Sequence, residues 1–313
     1  MSDLRQMPLF AAQPADEDDL NVHTRLIDAL PLFQKYLALQ GRTAHTLAAF
    51  TADMALLAEY HGEGERIGRF TTQKLNEFLS WMEHRRGVPC SRKTYARRVT
   101  TLKVFFKWLK EIGAIAHDPA EAVLQRSGPA PLADILTDDQ VEAVLAAGWH
   151  ARRADKPDAR PEMLFRLILS TGIKKSEAIA LTPDDIQRDD PDAPMVYIRH
   201  AGAKDRYRER LIPLDPAIFP ALDEYIAQYA PKTTLFTCTA RNLEYVLEGL
   251  GRQAGSPHKI SFEMLRWMFG VRAYAAGHDP HTIRQWLGLS EISWVETFAK
   301  IKLLWEKSRP ARV

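Results

Sequence analysis

From residue 25 to about residue 125, apolar residues recur at helical spacing and polar residues fill the gaps between them. In "RLIDALPLFQKYLALQG", Leu26, Leu30, Phe33, Tyr36, Leu37 and Leu39 mark a first helix that stops at Gly41. "TAHTLAAFTADMALLAEYHG" predicts a second, with Thr43 as N-cap and Gly62 as stop. "TTQKLNEFLSWMEHRRG" predicts a third, capped by Thr71 or Thr72 and closed by Gly87. "SRKTYARRVTTLKVFFKWLKEIG" predicts a fourth, from Ser91 to Gly113. Four helices make the first domain, residues 25–125. The acidic stretch before it, residues 1–24, reads as a flexible tail.

The periodicity fades over "QRSGPAPLADILT", where Gly128, Pro129 and Pro131 punctuate a linker placed at residues 126–134. A second domain, residues 135–313, then opens at a Thr137 cap with Asp138 and Asp139 in the first helical turn. Its pattern is helical with one interruption. "MVYIRH" (195–200) and "RERLIPL" (208–214) alternate and are β-branched, with Gly202 between them. They predict a small antiparallel hairpin or three-stranded sheet, so the expected class is mainly α in two domains.

Composition narrows the setting. The formal net charge is +2, so the chain is no bulk polycation. Cys90 and Cys238 follow no metal-ligand spacing and fit a reducing cytoplasm. No apolar run reaches membrane-spanning length, and the N-terminus lacks the basic and apolar parts of a signal peptide. A cytoplasmic protein that needs no metal or cofactor is the expectation. His278 and His281 are three apart with no evident third ligand, which favours a role at a helix start.

Charge distribution says more than the total. Between Arg85 and Lys110 stand nine Lys or Arg and no Asp or Glu. On the fourth helix Lys93, Arg97, Lys103, Lys107 and Lys110 drift along one face, and Tyr95, Leu102, Phe106 and Leu109 lie opposite. Such a helix packs inward and offers cations to phosphates outward. The competing reading is a solvated surface helix, although such faces usually mix signs.

Further candidates follow in the second domain. "STGIKKSEAIALTPDDI" sets Lys174 and Lys175 after a Thr-Gly turn. "GAKDRYRERLIPL" carries Lys204 and Arg206 in the hairpin turn. "SFEMLRWMFGVRAYAAG" holds Arg266 among Leu265, Met268 and Phe269. "HDPHTIRQWLGLSEISWVETFAKI" gives a helix capped by Asp279, a Leu-Gly turn at Leu287–Gly288 and another helix after Ser290.

In this order, the motifs resemble the tyrosine recombinase (phage integrase) family over roughly residues 25–300. The resemblance implies a SAM-like core-binding domain and a catalytic-type domain that clamp double-stranded DNA, with the linker crossing on one side. It also implies a site around the scissile phosphate, attacked by a tyrosine. The family's first arginine falls on Lys174, and its hairpin lysine on Lys204, in a turn one residue longer than usual. The His-x-x-Arg helix reads Glu263-Met264-Leu265-Arg266, followed by Trp267. The His or Trp after Leu-Gly falls on Leu289, and the tyrosine on Phe298.

These departures remove chemistry. Phe298 has no hydroxyl to attack phosphorus. Lys174 keeps a charge but loses the planar fork of an arginine. Glu263 would repel a phosphate unless paired, and Leu289 cannot donate to a developing oxyanion. The resemblance therefore implies an inactive DNA-binding relative, accessory or regulatory to an active recombinase. Its DNA-binding set is Arg92, Lys93, Arg97, Lys103, Lys107, Lys174, Lys204, Arg206 and Arg266.

Three alternatives stand beside this. One is a working recombinase whose nucleophile is non-standard, such as Tyr207, or supplied by a partner chain. Another is a protein-interaction module that has lost DNA binding. In the third, the cations serve the fold, Arg266 pairing with Glu263 and Lys174 with Glu177. Tyr274 reads as core, and Ser293 and Thr297 lack an evident base. Residues 301–313 either dock on a neighbouring subunit, giving self-association on DNA, or fold back on their own domain.

Overall fold

The computed structural model covers residues 14–124, 132–190, 192–200 and 202–308, with the backbone alone at residues 203–205. The chain divides into two compact units, Met1–Ala130 and Pro131–Val313. The first holds α1 (Leu26–Leu39), α2 (Ala44–His61), α3 (Thr72–His84) and α4 (Arg92–Glu111). Hydroxyl caps set three of the four starts. Thr43 accepts from the Thr46 N–H, Thr71 from that of Lys74 and Ser91 from that of Thr94. The apolar stripe of α4 buries Leu102, Phe105, Phe106, Trp108 and Leu109. Phe33 of α1 meets Phe105 edge-on, 5.0 Å between centroids.

The inner end of the expected tail is packed instead. Leu20 is buried in this core, and the Ile67 and Gly68 N–H groups donate to the Thr24 and Val22 carbonyls. Residues 1–13 lie outside the described residues.

The second unit runs α5 (Asp138–Arg152), α6 (Arg160–Thr171), α7 (Lys175–Ala180), β1 (Ile186–Gln187), β2 (Met195–Ile198), β3 (Arg210–Pro213), α8 (Phe219–Tyr229), α9 (Ala240–Gln253), α10 (Phe262–Ala275), α11 (Pro280–Trp286) and α12 (Glu291–Ser308). Thr137 caps α5 as expected, and Gln140 returns the bond to the Thr137 N–H. Of the expected linker, residues 126–131 lie outside the described residues, whereas Leu132 packs against the second core.

Apolar on nearly every side, α6 forms the centre of this core. Met163, Leu164, Phe165, Leu167 and Ile168 are fully buried, and α5, α8, α9 and α10 surround the helix. The three strands form an antiparallel sheet in the order β1-β2-β3, with Val196 opposite Ile212. The connection from β2 to β3 is not a simple hairpin turn. Residues Ala203–Arg208 form a 3-10 helix there.

The C-terminal segment continues α12 rather than forming a separate piece. Ile301 and Leu304 are buried in their own unit's core, and Trp305 meets Tyr274 edge-on at 5.2 Å. Residues 301–308 thus pack within their own unit in the single chain. Residues 309–313 lie outside the described residues.

Candidate functional site

The end of α6 creates the site's first corner. Gly172 adopts a left-handed conformation (φ 60°), and a Cβ there would meet Phe269 Cδ1 at 2.5 Å, so only glycine fits. The turn delivers Lys174 to the start of α7. The two lysines then separate. Lys175 reaches outward to Glu244 of α9 at 2.8 Å, while Lys174 is half-buried. Burial pushes the Lys174 ammonium below its ordinary value; the charges of Arg266, Arg210 and Arg208 add to this, and Glu177 opposes it.

Glu177 organises the site. Its buried carboxylate accepts the Lys174 backbone N–H at 2.7 Å. It also takes a two-pronged grip from Arg210 of β3, Nη1 to Oε1 at 3.1 Å and Nη2 to Oε2 at 3.0 Å. Burial pushes the Glu177 carboxyl up, but Arg210 and Lys174 together hold it below the ordinary value. Arg210 Nε donates to the Trp286 carbonyl at 2.7 Å. Gly288 lets the guanidinium sit there, since a Cβ would lie 2.8 Å from Nη1.

Arg266 projects from α10 into the same cluster, but no carboxylate receives it. Its Nη1 donates to the Gly172 carbonyl at 2.5 Å and its Nη2 to the Leu287 carbonyl. Burial, with Arg210 adding to it against Glu177, pushes its pKa down to about 10. The expected pairing with Glu263 is not made. Glu263 is exposed on the first turn of α10, and its carboxylate has no hydrogen bond among the described residues. Lys174, Arg210 and Arg266 thus share one buried carboxylate.

Two expected members are placed less fully. The Lys204 backbone lies in the 3-10 helix, and its side chain is outside what is described. Arg206 is exposed on the same helix. Tyr207 is 73% exposed, and its hydroxyl accepts from Arg208 Nε at 3.0 Å.

Phe298 lies on α12. Its ring stacks on Trp294 at 5.0 Å, meets Tyr274 edge-on at 5.5 Å and carries Lys302 Nζ 5.1 Å from its centroid. Nearby hydroxyls serve the helix itself. Thr297 donates to the Ser293 carbonyl at 2.7 Å, and Ser290 bonds Ser293 at 3.1 Å. Leu289 and Trp267 are half-buried against the core. The His278 ring rests on Trp286 at 4.9 Å, and His281 meets Arg284 at 3.0 Å.

Residues 134–302 match the model of the phage integrase family, and residues 30–113 match that of the phage integrase N-terminal SAM-like domain. This chain belongs to the phage integrase family. Tyrosine recombinase XerC of Mycobacterium leprae is 30% identical over 282 residues, covering 86% of this chain and 93% of the relative. Tyrosine recombinase XerD of Listeria innocua serovar 6a is 23% identical over 292 residues, covering 88% and 95%. The fold is that of lambda integrase(75–356), solved as a dimer bound to a COC' core site. The TM-score is 0.69 at 14% identity, covering 93% of this chain and 98% of that one.

The SAM-like unit of this family member uses part of its cationic stripe internally. Arg97 Nη2 and Arg98 Nε both donate to Oδ1 of Asp53, a buried residue of α2, at 2.9 and 3.3 Å. Thr101 Oγ1 donates to its Oδ2 at 3.0 Å. Lys103 Nζ reaches the Glu121 carbonyl at 3.4 Å, and Lys107 and Lys110 lie near Glu111 and Glu121. Arg92 and Lys93 are exposed at the start of α4, with no ion pair among the described residues. Sequence reasoning missed Asp53 and Arg210. Only Arg210 carried a signal, an arginine on the strand expected to face the core.

Proposed function

We propose that this phage integrase binds duplex DNA through backbone phosphates and does not cleave it by a phosphotyrosine route. The observation that carries the reading is Phe298, a hydrocarbon ring packed among Trp294, Tyr274 and Lys302, at the position that the resemblance assigns to the family's tyrosine. A ring with no hydroxyl forms no ester with phosphorus. Leu289 offers no donor to a developing oxyanion.

What remains suits holding a phosphate. Arg210 is committed to Glu177, which leaves the Lys174 ammonium and the Arg266 guanidinium without a carboxylate of their own. A phosphate between them would offset one of these two charges. Arg92 and Lys93 add exposed charge from the first unit, and Arg206 from the second. The DNA-bound state of the lambda integrase neighbour supports this reading. In this role the chain acts as an accessory or regulatory partner of an active recombinase.

The test begins with fragments selected from genomic DNA, whose retention should fall steeply with salt. A nicked suicide substrate carrying the selected site then reports chemistry. The expected result is salt-sensitive binding with no denaturation-resistant protein–DNA adduct. An adduct formed by the wild-type chain overturns the reading.

A further inference from the structure

The helix α12 carries two apolar stripes, and its own unit uses only one. Trp294, Ile301, Leu304 and Trp305 turn onto the second core, where Ile301 and Leu304 are buried. On the opposite side stand Ile292, Val295, Ala299 and Leu303, spaced by three, four and four residues. At helical pitch they fall in one narrow stripe about 16 Å long. All four are exposed. Ile292 is 90% exposed, the highest value for a large apolar side chain among the described residues, while Val295 is 73% and Leu303 51% exposed. Single exposed apolar residues are ordinary, but a continuous stripe on one helix marks a contact surface.

The charges beside the stripe say what covers it. Glu291 and Glu296 flank its N-terminal half, Lys302 and Lys307 its C-terminal half, and Glu306 lies beyond Leu303. Glu296 is taken by Lys300 at 2.5 Å. Glu291 is 88% exposed and only within 4.0 Å of Arg284. Lys302 rests on the Phe298 ring, with no carboxylate partner among the described residues. Glu291 and Lys302 lie along the same edge of the stripe, eleven residues apart, the same separation as Ile292 and Leu303. We propose that α12 is a homodimer interface, through which two chains free of DNA associate with their α12 helices antiparallel. Centred near Thr297, that pairing sets Ile292 against Leu303, Val295 against Ala299 and Glu291 against Lys302 of the second copy, each contact made twice by the two-fold symmetry. Glu306 then lies near the positive N-terminal end of the opposite helix. A parallel pairing would bring acid to acid and base to base. None of these residues belongs to the Lys174–Arg266 site, so the inference does not rest on the phosphate reading.

The contact is one helix wide, so a weak dimer is expected, with a Kd on the order of 10–100 µM. Sedimentation equilibrium of the wild-type full chain without DNA, from about 1 to 200 µM, reads it as a mass that climbs from one chain toward two. Ile292→Lys should weaken association about tenfold or more. Glu291→Lys and Lys302→Glu each turn both ion pairs into repulsions, and each alone should weaken association about tenfold. Mixed in equal amounts, those two variants should associate with one another as tightly as wild type does with itself, because each meets its opposite charge. The altered side chains are all exposed, so the fold does not depend on them. A wild-type chain that stays monomeric throughout overturns the proposal. So does a dimer that Ile292→Lys leaves intact, which would place self-association elsewhere in the chain. A mixture no stronger than the single variants overturns the antiparallel pairing. No DNA is present in the measurement, so its failure and the failure of the DNA-binding reading are separate results.

Discussion

Asp53 in the first unit and Glu177 in the second are both carboxylates buried against arginine, and the two clusters differ in what they leave over. In the first unit Asp53 draws Arg97 and Arg98 onto one oxygen and Thr101 onto the other, so α4 is tied to α2. Arg98 is 11% exposed, and its charge is used inside the fold. In the second unit Glu177 takes both prongs of Arg210, a guanidinium only 7% exposed, while Arg266 bonds neutral carbonyls. The first cluster is a brace. The second is a brace with unneutralised cations set around it. Counting cations along the chain makes the two look alike; the position of the acid separates them.

The sharpest way to break the contrast is Asp53→Ala. It strands Arg98 against the α2–α4 interface, while the more exposed Arg97 turns to solvent, and should cost the first unit about 3 kcal/mol, read from urea unfolding. Wild-type stability in that variant would mean that Arg97 and Arg98 are not held by Asp53 and belong with the phosphate contacts. Lys174→Met sharpens the other side. The fold disfavours that ammonium, so thermal stability should hold or rise. Affinity for DNA should fall, and the salt slope should shrink by about one. A variant that melts early with an unchanged slope would place Lys174 among the braces.

The smallest effect concerns Glu177 itself. Its carboxyl is held below the ordinary value of 4.5. Its contribution to stability is therefore complete above that value and is lost as pH falls through the depressed folded value. Urea midpoints from about pH 6 downward should decline less steeply for Glu177→Gln than for wild type. Parallel declines would show that Arg210 does not stabilise the ionised form.

Much of the frame was legible before the structure. The hydroxyl caps at Thr43, Thr71, Ser91 and Thr137, the Gly172 turn and the β2–β3 pair follow from local rules of period and capping. The ion pairs were not legible, because they join distant residues. Asp53 meets partners more than forty positions away, and Arg210 meets Glu177 across thirty-three. Nothing in "FTADMALLAEY" marks its aspartate as buried. Arg266 paired with Glu263 is the natural local guess at three residues' spacing. It fails because α10 turns the two sides of that pair to different surroundings, one to solvent and one to the ends of α6 and α11.

The bonds from Arg266 to the Gly172 and Leu287 carbonyls bear on how such a site ages. One side chain closes two helix ends, so its loss would orphan two buried acceptors whatever the site binds. Purifying selection for folding alone is enough to retain it. Phe298 and Leu289 make no such polar bonds through their side chains, and substitution at those places carries no comparable penalty. The presence of Arg266 is then a record of architecture before it is a record of chemistry.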